Sequence, residues 1–174
     1  MARMRIYTKA AAHTYLESVP NIDGIIVYFN KTPQSIVCPH FWELRWAFGC
    51  DFNCDYCYLQ GTGRGDKHFR KRPIDKVLQA IDKAFRHEYF LKNSSIFNSG
   101  ELTDSLMRPN LMERIAEKFE EQGRHKLLLL TKSDNFRILD RSNPFEQTIV
   151  SFSINAPEVW GRWEHKTVPP EKRI

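Results

Sequence analysis

The chain has 174 residues, of which 26 are basic and 21 acidic, so its formal net charge is +5. Hydrophobic residues make up 41% of the chain and charged residues 27%, a balance that is typical of a globular protein and excludes a disordered one. No stretch approaches the roughly 18 consecutive apolar residues of a membrane span, and no apolar run of signal-peptide type follows Met1, so we expect no membrane partner.

The first predicted strand covers 24–29, within an otherwise irregular stretch that ends in a loop around Pro39. A second strand is predicted over 43–48, and it leads directly into a loop that contains three cysteines. We treat 1–40 as an N-terminal extension and 41–174 as the core domain. No low-complexity tract or linker divides the rest of the chain.

The cysteines of this loop, Cys50, Cys54 and Cys57, have the spacing C-x-x-x-C-x-x-C. A [4Fe–4S] cluster has four irons, and electron-transfer ferredoxins usually bind all of them through cysteine thiolates. Three thiolates leave one iron without a protein ligand, and an open position lets a metal centre bind and activate a substrate. The clustered spacing argues against a secreted disulfide framework and indicates metal chemistry in the reducing cytoplasm.

The densest basic segment follows the cysteines, over 64–72, with the sequence RGDKHFRKR. Such a segment can hold phosphates and attract a polyanion, which makes it a candidate nucleic-acid contact beside the cysteines. The alternative is a solvated loop with no dedicated partner.

Helices are predicted after Pro73 and after Pro109, from apolar residues at helical spacing, and the second helix should end at Gly123. Further elements are strands over 95–97, 127–131 and 148–154 and a short helical piece over 134–139. The continuous apolar run 127–131 is typical of a strand buried on both faces of a parallel sheet. Strands that alternate with helices predict βα units with right-handed crossovers.

Polar residues follow each strand of this series. The cysteines follow the first strand, and the later strands are followed by 98–101, 131–134 and 153–155. In α/β folds, reactive residues gather on the loops at the carboxyl ends of the strands. We therefore expect four strand-end loops to converge on one site.

The cysteine motif, with the aromatic Tyr56 before its last cysteine, resembles that of the radical S-adenosylmethionine (SAM) superfamily. The stretch Ser99-Gly100-Glu101 is similar to the Gly-Gly-Glu element of that superfamily. More narrowly, several runs resemble the spore photoproduct lyase family: 54–60, 130–132, 151–155 and the tail 169–174. The resemblance extends from about residue 45 to the end of the chain.

The resemblance implies an α/β fold in which a parallel sheet forms a partial (βα) barrel of radical SAM type. The chain would contain about the first four βα units, so that 41–174 is a radical SAM core, incomplete at its C-terminus, of a larger enzyme. The implied activity is that of a lyase-like radical SAM enzyme, with DNA repair of the spore photoproduct lyase type as the narrower function.

The implied cofactors are a [4Fe–4S] cluster, bound by Cys50, Cys54 and Cys57, and SAM on the fourth iron. An electron from a reductant such as flavodoxin or ferredoxin would cleave SAM to methionine and a 5′-deoxyadenosyl radical, which abstracts hydrogen from the substrate. This chemistry belongs to the cofactors, and the protein positions them. DNA would be the partner of the basic segment 64–72.

Further site residues are implied by matching positions in the family's motifs. Tyr56 matches the aromatic beside the cluster and adenine, and Tyr58 matches a catalytic tyrosine that relays a hydrogen atom. Ser99, Gly100 and Glu101 match the element that binds the methionine part of SAM. Polar positions near the SAM carboxylate and ribose are matched by Lys132, Ser153 and Asn155.

These residues also have ordinary structural interpretations. Tyr56 and Tyr58 could pack in a core, and Lys132 could be a surface lysine. Ser153 and Asn155 could form a turn. Glu101, with its neighbours Thr103 and Asp104, could belong to a loop that initiates a helix.

The chain departs from the lyase family at one position. That family carries a cysteine after the second strand, which donates hydrogen to the substrate radical, and 100–105 contains none. Two alternatives stay open. One is a structural zinc module completed by Cys38 or a histidine, although zinc sites usually show a second ligand pair. The other is an inactive fragment of a larger radical SAM protein.

Overall fold

The structure is a computed structural model that describes residues 19–30, 40–61 and 68–173. Most of the predicted N-terminal extension, Cys38 and positions 64–67 of the basic segment lie outside the described residues. In the described part of the chain, no helix is both long and apolar enough to cross a membrane.

The described residues form seven strands and four helices. The strands are β1 (Ile26–Tyr28), β2 (Trp42–Leu44), β3 (Ala47–Phe48), β4 (Arg70–Lys71), β5 (Ile96–Asn98), β6 (Lys126–Thr131) and β7 (Thr148–Phe152). The helices are α1 (Ile74–Arg86), α2 (Glu88–Lys92), α3 (Pro109–Gln122) and α4 (Pro157–Trp163). Single 3₁₀ turns lie at Tyr58–Gln60, Phe136–Ile138 and Pro170–Lys172.

The main sheet has the strand order β1-β2-β5-β6-β7. β1 runs antiparallel to β2, and the other four strands are parallel, with Phe97 opposite Leu127 and Leu128 opposite Ile149. The predicted α/β fold with a mostly parallel sheet is therefore confirmed. The strand order places the ends of β2, β5, β6 and β7 side by side, as consecutive βα units require.

The helix boundaries follow the local sequence signals. α1 begins directly after Pro73, and Pro109 is the first residue of α3. α3 ends at Gln122 and is capped by Gly123, whose φ of 62° lies in the left-handed region that glycine adopts without steric cost. The predicted helical piece over 134–139 is reduced to the 3₁₀ turn Phe136–Ile138.

The predicted strand over 43–48 is divided into two. β2 ends at Leu44, and β3 pairs with β4 in a separate two-stranded antiparallel sheet. Trp46 lies between them, fully buried, and its indole Nε1–H donates to the carbonyl of Ser99 at 2.9 Å. The prediction of one continuous strand is wrong because this buried indole turns the chain out of the sheet. The loop between β3 and β4, which we call the cysteine loop, consequently begins from the small sheet.

The prediction that β6 is buried on both faces is also wrong. Leu127, Leu129 and Thr131 are buried, whereas Leu128 and Leu130 are only partly covered. The buried face packs into the core beneath α1 and α3, with Ile81 and Phe119 among its neighbours in that core. Within the described residues no helix covers the other face, and Leu130 on that face lines an open cleft.

Candidate functional site

A cleft of about 290 Å³ lies at the carboxyl ends of the parallel strands, and we call it the cysteine cleft. Four segments contribute to its lining: the cysteine loop and the chain after β5, β6 and β7. The cysteine loop contributes Cys50, Cys54 and Cys57 to the lining, and the chain after the three strands contributes Gly100, Lys132 and Ser153, in that order. The structure thus brings the four predicted strand-end loops together.

The three cysteines of the loop are free thiols, and all of them line the cysteine cleft. Gly49 and Asn53 adopt left-handed φ angles of 75° and 53°, which turn the chain tightly around the cysteines. Burial raises the pKa of the Cys50 thiol to about 12 and also raises that of Cys54. A cation beside these groups would be needed to keep them as thiolates, and a metal centre bound by the thiols would supply that charge.

Three thiols facing one cleft are the donor set that a cluster with one open iron requires. In such a cluster each thiolate binds a different iron, so the ligands surround a cavity. In the part of the chain that the structure describes, no group of three or more His, Cys, Asp or Glu side chains is placed to hold a single metal ion.

The loop after β5 passes unusually close to β6. A Cβ atom added to Gly100 would lie 2.4 Å from the Cβ of Leu130 and 3.2 Å from its Cα, so only glycine fits. The Gly100 N–H donates to Oδ1 of Asn98 at 2.9 Å, and Ser99 Oγ lies 2.8 Å from Ser105 Oγ. Ser99 is buried, whereas Gly100, which has only backbone atoms to offer, lines the cleft.

Asp104 fixes this loop to the end of β6, a role that its position after a strand did not predict. Its Oδ1 accepts hydrogen bonds from the Thr131 hydroxyl at 2.9 Å and from the Leu106 N–H at 3.0 Å. Its Oδ2 accepts one from the Lys132 N–H at 2.7 Å. Burial raises the pKa of Asp104, and these hydrogen bonds oppose the rise.

Glu101 and its neighbours initiate no helix, since α3 begins only at Pro109.

Tyr56 and Tyr58 do not belong to the core. Their exposed fractions are 48% and 56%, and both line the cysteine cleft. The Tyr58 hydroxyl donates to the carbonyl of Glu101, and the Tyr56 hydroxyl donates to the carboxylate of Glu164. Desolvation raises the pKa of both tyrosines, and the negative charge of Glu164 beside Tyr56 and of Glu101 beside Tyr58 raises it further.

Lys132 joins the ends of β6 and β7. Its ammonium donates to Ser153 Oγ at 2.6 Å and lies 5.7 Å from the centre of the Tyr56 ring, within the range of a cation–π interaction. Asn155 lies behind Tyr56, and its amide donates to the Tyr56 hydroxyl at 2.8 Å. Lys132 is therefore only partly exposed and has specific partners, unlike a surface lysine.

A buried ion pair behind the site was not predicted. Arg173 Nη2 lies 2.6 Å from Glu164 Oε2, and neither side chain is exposed to solvent. Burial opposes ionisation of Glu164, but hydrogen bonds from Tyr56, Arg173, Asn155 and Thr167 outweigh it and lower the pKa of Glu164 to about 2. The tail 162–173 contains several acidic and basic residues, so its sequence does not indicate which of them pair in the interior, where such charges lie only when paired.

A second cleft, of about 510 Å³, lies between β4 and the start of α3, and we call it the basic cleft. Its lining residues are Phe69, Lys71, Arg108, Pro109, Asn110 and Leu111. The Arg108 guanidinium lies 4.5 Å above the Phe69 ring and 3.5 Å from Asp51 Oδ2. The described end of the basic segment therefore borders a cleft.

No family model matches the chain. Two curated relatives are the spore photoproduct lyases of Bacillus subtilis and Clostridium acetobutylicum, which are 29% and 26% identical to it. Each match covers 76% of this chain and 40% of the relative. The chain thus spans about 40% of the length of the curated relatives it matches.

Solved structures of spore photoproduct lyase share the fold. One point mutant has a TM-score of 0.66 at 20% identity, with 99% of this chain and 51% of that chain covered. Another, with bound AdoMet and dinucleoside spore photoproduct, has a TM-score of 0.64 at 22% identity, with 77% and 39% covered. The chain is therefore related to spore photoproduct lyase, a radical SAM enzyme, and this relationship covers only part of that protein.

Proposed function

We propose that the protein is a radical SAM iron–sulfur enzyme of the spore photoproduct lyase type. The observation that supports this most directly is the meeting of three free thiols with the loops after β5, β6 and β7 in one cleft. The sequence relationship to spore photoproduct lyases supports the same chemistry. On this proposal, 41–174 is the radical SAM core, its four parallel strands are the first four of a partial (βα) barrel, and 1–40 is an extension.

Cys50, Cys54 and Cys57 would hold a [4Fe–4S] cluster and leave one iron open to SAM. When bound, these cofactors supply the reductive cleavage of SAM that yields a 5′-deoxyadenosyl radical for hydrogen abstraction. Thr103 supports a ligand in this cleft, because it lines the cleft and its buried hydroxyl has no hydrogen-bond partner among the described residues.

The protein's own residues bind and orient SAM. The Gly100 and Glu101 backbone borders the cleft and would accept the methionine amino group, while Ser99 anchors that loop from the buried side. The Lys132 ammonium is the cationic group for a carboxylate, and Ser153 and Asn155 complete the polar wall. Tyr58, with its hydroxyl held by the Glu101 carbonyl at the cleft, is assigned the hydrogen relay.

The substrate class that we assign is ultraviolet-damaged DNA. The mildly basic charge of the chain and the basic cleft support a polyanionic partner, with Lys71 and Arg108 as phosphate contacts. The electron would come from a small redox protein such as flavodoxin or ferredoxin in the cytoplasm.

Anaerobic reconstitution with iron and sulfide tests the proposal. We expect about four irons per chain, a broad visible absorbance, and 5′-deoxyadenosine after dithionite and SAM are added. Cys54→Ala should lose the cluster and form no 5′-deoxyadenosine, because the cluster needs all three thiolates as ligands. Cys38→Ala is the matched control, since this cysteine lies outside the motif, and it should behave as the wild type. Stoichiometric zinc with no iron uptake would contradict the proposal and favour a structural zinc module.

A further inference from the structure

The segment 157–173 is fastened to the cysteine loop by backbone hydrogen bonds. The Asp55 N–H donates to the Trp163 carbonyl at 2.9 Å, and the Lys166 N–H donates to the Phe52 carbonyl at 3.1 Å. Cys54 and Glu164 form an isolated antiparallel bridge between these two contacts. A predicted cluster ligand therefore has the segment 157–173 as its direct neighbour, although the two are far apart in the sequence.

Glu164 divides its two carboxylate oxygens between the cleft and the segment 157–173. Oε1 accepts hydrogen bonds from the Tyr56 hydroxyl and from the Asn155 amide, the latter at 2.5 Å. Oε2 accepts hydrogen bonds from Thr167 at 2.9 Å and from Arg173 at 2.6 Å. One buried carboxylate thus connects a tyrosine of the cysteine cleft to the 3₁₀ turn at Pro170–Lys172.

Arg173 fixes the far side of this carboxylate. Its Nε donates to the Val168 carbonyl at 2.9 Å, and its Nη1 donates to the Ser153 carbonyl at 2.7 Å. The Ser153 hydroxyl in turn accepts a hydrogen bond from the Lys132 ammonium. The guanidinium therefore has partners on every side, which leaves the Glu164 carboxylate a single orientation.

We propose that Glu164 is a positioning residue that holds the Tyr56 ring against the cysteine cleft, and that Arg173 keeps its carboxylate oriented for this task. This inference rests on the proposed function, because Tyr56 is the aromatic assigned to the SAM side of the cluster. A buried ion pair is weak evidence for stability, since apolar residues of similar volume often replace one at no cost. The division of oxygens between Tyr56 and Arg173 is what an apolar replacement cannot reproduce.

Glu164→Gln tests the proposal, because glutamine has one acceptor oxygen and can present it to only one side. With the oxygen facing Arg173, the Tyr56 hydroxyl and the Asn155 amide lose their shared acceptor. We expect the Kd for SAM, measured by equilibrium dialysis on the reconstituted protein, to rise about tenfold, as for one lost charge-assisted hydrogen bond. In a Tyr56→Phe background the same change should alter the Kd by less than about twofold, because the coupled partner is gone.

Thr167→Val is the matched control. It removes the buried hydrogen bonds of the Thr167 hydroxyl to Glu164 Oε2 and from Arg173 Nη2 and leaves the Oε1 side intact, so the Tm should fall while the Kd for SAM stays within about twofold. If Glu164→Gln leaves an unpaired Arg173 and does not fold, the double variant Glu164→Leu with Arg173→Met removes both buried charges together with the acceptor for Tyr56, and it should show the same weakened SAM binding.

Amide hydrogen exchange on the protein without cofactors gives an independent measurement. The double variant should exchange the Asp55 amide faster than Thr167→Val does, because the cysteine loop loses its side-chain anchor. Equal SAM affinity and equal exchange in the Glu164 and Thr167 variants would overturn the positioning role. A wild-type protein that takes up no cluster would instead overturn the proposed function, while the exchange data would still decide the role of Glu164.

Discussion

At the scale of single residues, the site depends on a glycine whose small size lets two segments of backbone lie close together. Gly100 has no Cβ, and this lets the loop after β5 lie against Leu130. The resemblance to a Gly-Gly-Glu element marked Gly100 as a ligand-binding position, and the close approach to β6 is a reason for glycine that no local pattern reveals. Asp104 fixes the same loop to the end of β6 by accepting hydrogen bonds from Thr131 and Lys132.

Gly100→Ala should destabilise the protein. Its new Cβ would lie 2.4 Å from the Cβ of Leu130, so backbone must move, and overpacking of this kind costs about 1–3 kcal/mol in the free energy of unfolding. Urea denaturation measures the change. Gly161→Ala in α4 is the control, because nothing lies within 4 Å of its added Cβ and it should be neutral or slightly stabilising. A Gly100 variant as stable as the Gly161 variant would contradict the close approach.

At the scale of elements, an aromatic cluster joins the helices to the sheet beneath β5. Phe97 of β5 packs between Phe90 of α2 at 5.3 Å and Phe119 of α3 at 5.2 Å between ring centres. His125, which precedes β6, stacks on Phe85 of α1 at 5.1 Å. The periodicity of the sequence predicted α1, α3 and β5, but it predicted neither α2 nor a histidine in their common core.

His125 should make stability depend on pH. The ring is buried, and desolvation lowers its pKa from the ordinary 6.5 to about 4. Because the unfolded chain takes up this proton below pH 6.5 and the folded chain only below about 4, stability should fall with pH between those values, by at most about 1.4 kcal/mol per pH unit.

Denaturation between pH 4 and 7 measures this loss, and His125→Gln should remove it while retaining an acceptor for the Ser95 N–H. Glu164 titrates in a separate window, since its pKa of about 2 places the loss of its contribution below the ordinary value of 4.5. An unchanged slope above pH 4.5 in the glutamine variant would show that another group is responsible.

At the scale of the whole molecule, the positive charge and the two clefts suggest how a polyanion would approach. Two basic residues line the basic cleft: Lys71 of β4, which follows the cysteine loop, and Arg108, which directly precedes α3. Asp51 contacts Arg108 of the basic cleft and lies between Cys50 and Phe52 of the cysteine cleft, so one short stretch of chain connects the two clefts. A strand bound in the basic cleft would therefore pass beside the cysteine cleft.

Lys71→Ala should weaken the binding of DNA of any sequence to a similar extent. The slope of log Kd against the logarithm of the salt concentration should fall by about one, as expected for one lost phosphate contact. Fluorescence anisotropy with thymine-rich duplexes, irradiated and untreated, measures both quantities. Lys92→Ala is the charge-matched control, because Lys92 is exposed on α2 and lines neither cleft, and its salt dependence should equal that of the wild type. Binding that is insensitive to salt would contradict phosphate contacts.

Because hydrophobic periodicity, Pro73, Pro109 and Gly123 act over one or two turns of chain, the sequence predicted α1, α3 and the strands β5, β6 and β7, but it missed β4, α2 and α4. It also determined which loops carry polar groups, since parallel strands bring their carboxyl ends to one edge. Tertiary structure alone decided the turn at Trp46, the open face of β6 and the anchor of Asp104. Tyr56 and Glu164 are 108 residues apart, and their hydrogen bond depends on the segment 157–173 folding back onto the cysteine loop. Such pairings are set by three-dimensional packing, and a local pattern has no means of encoding them.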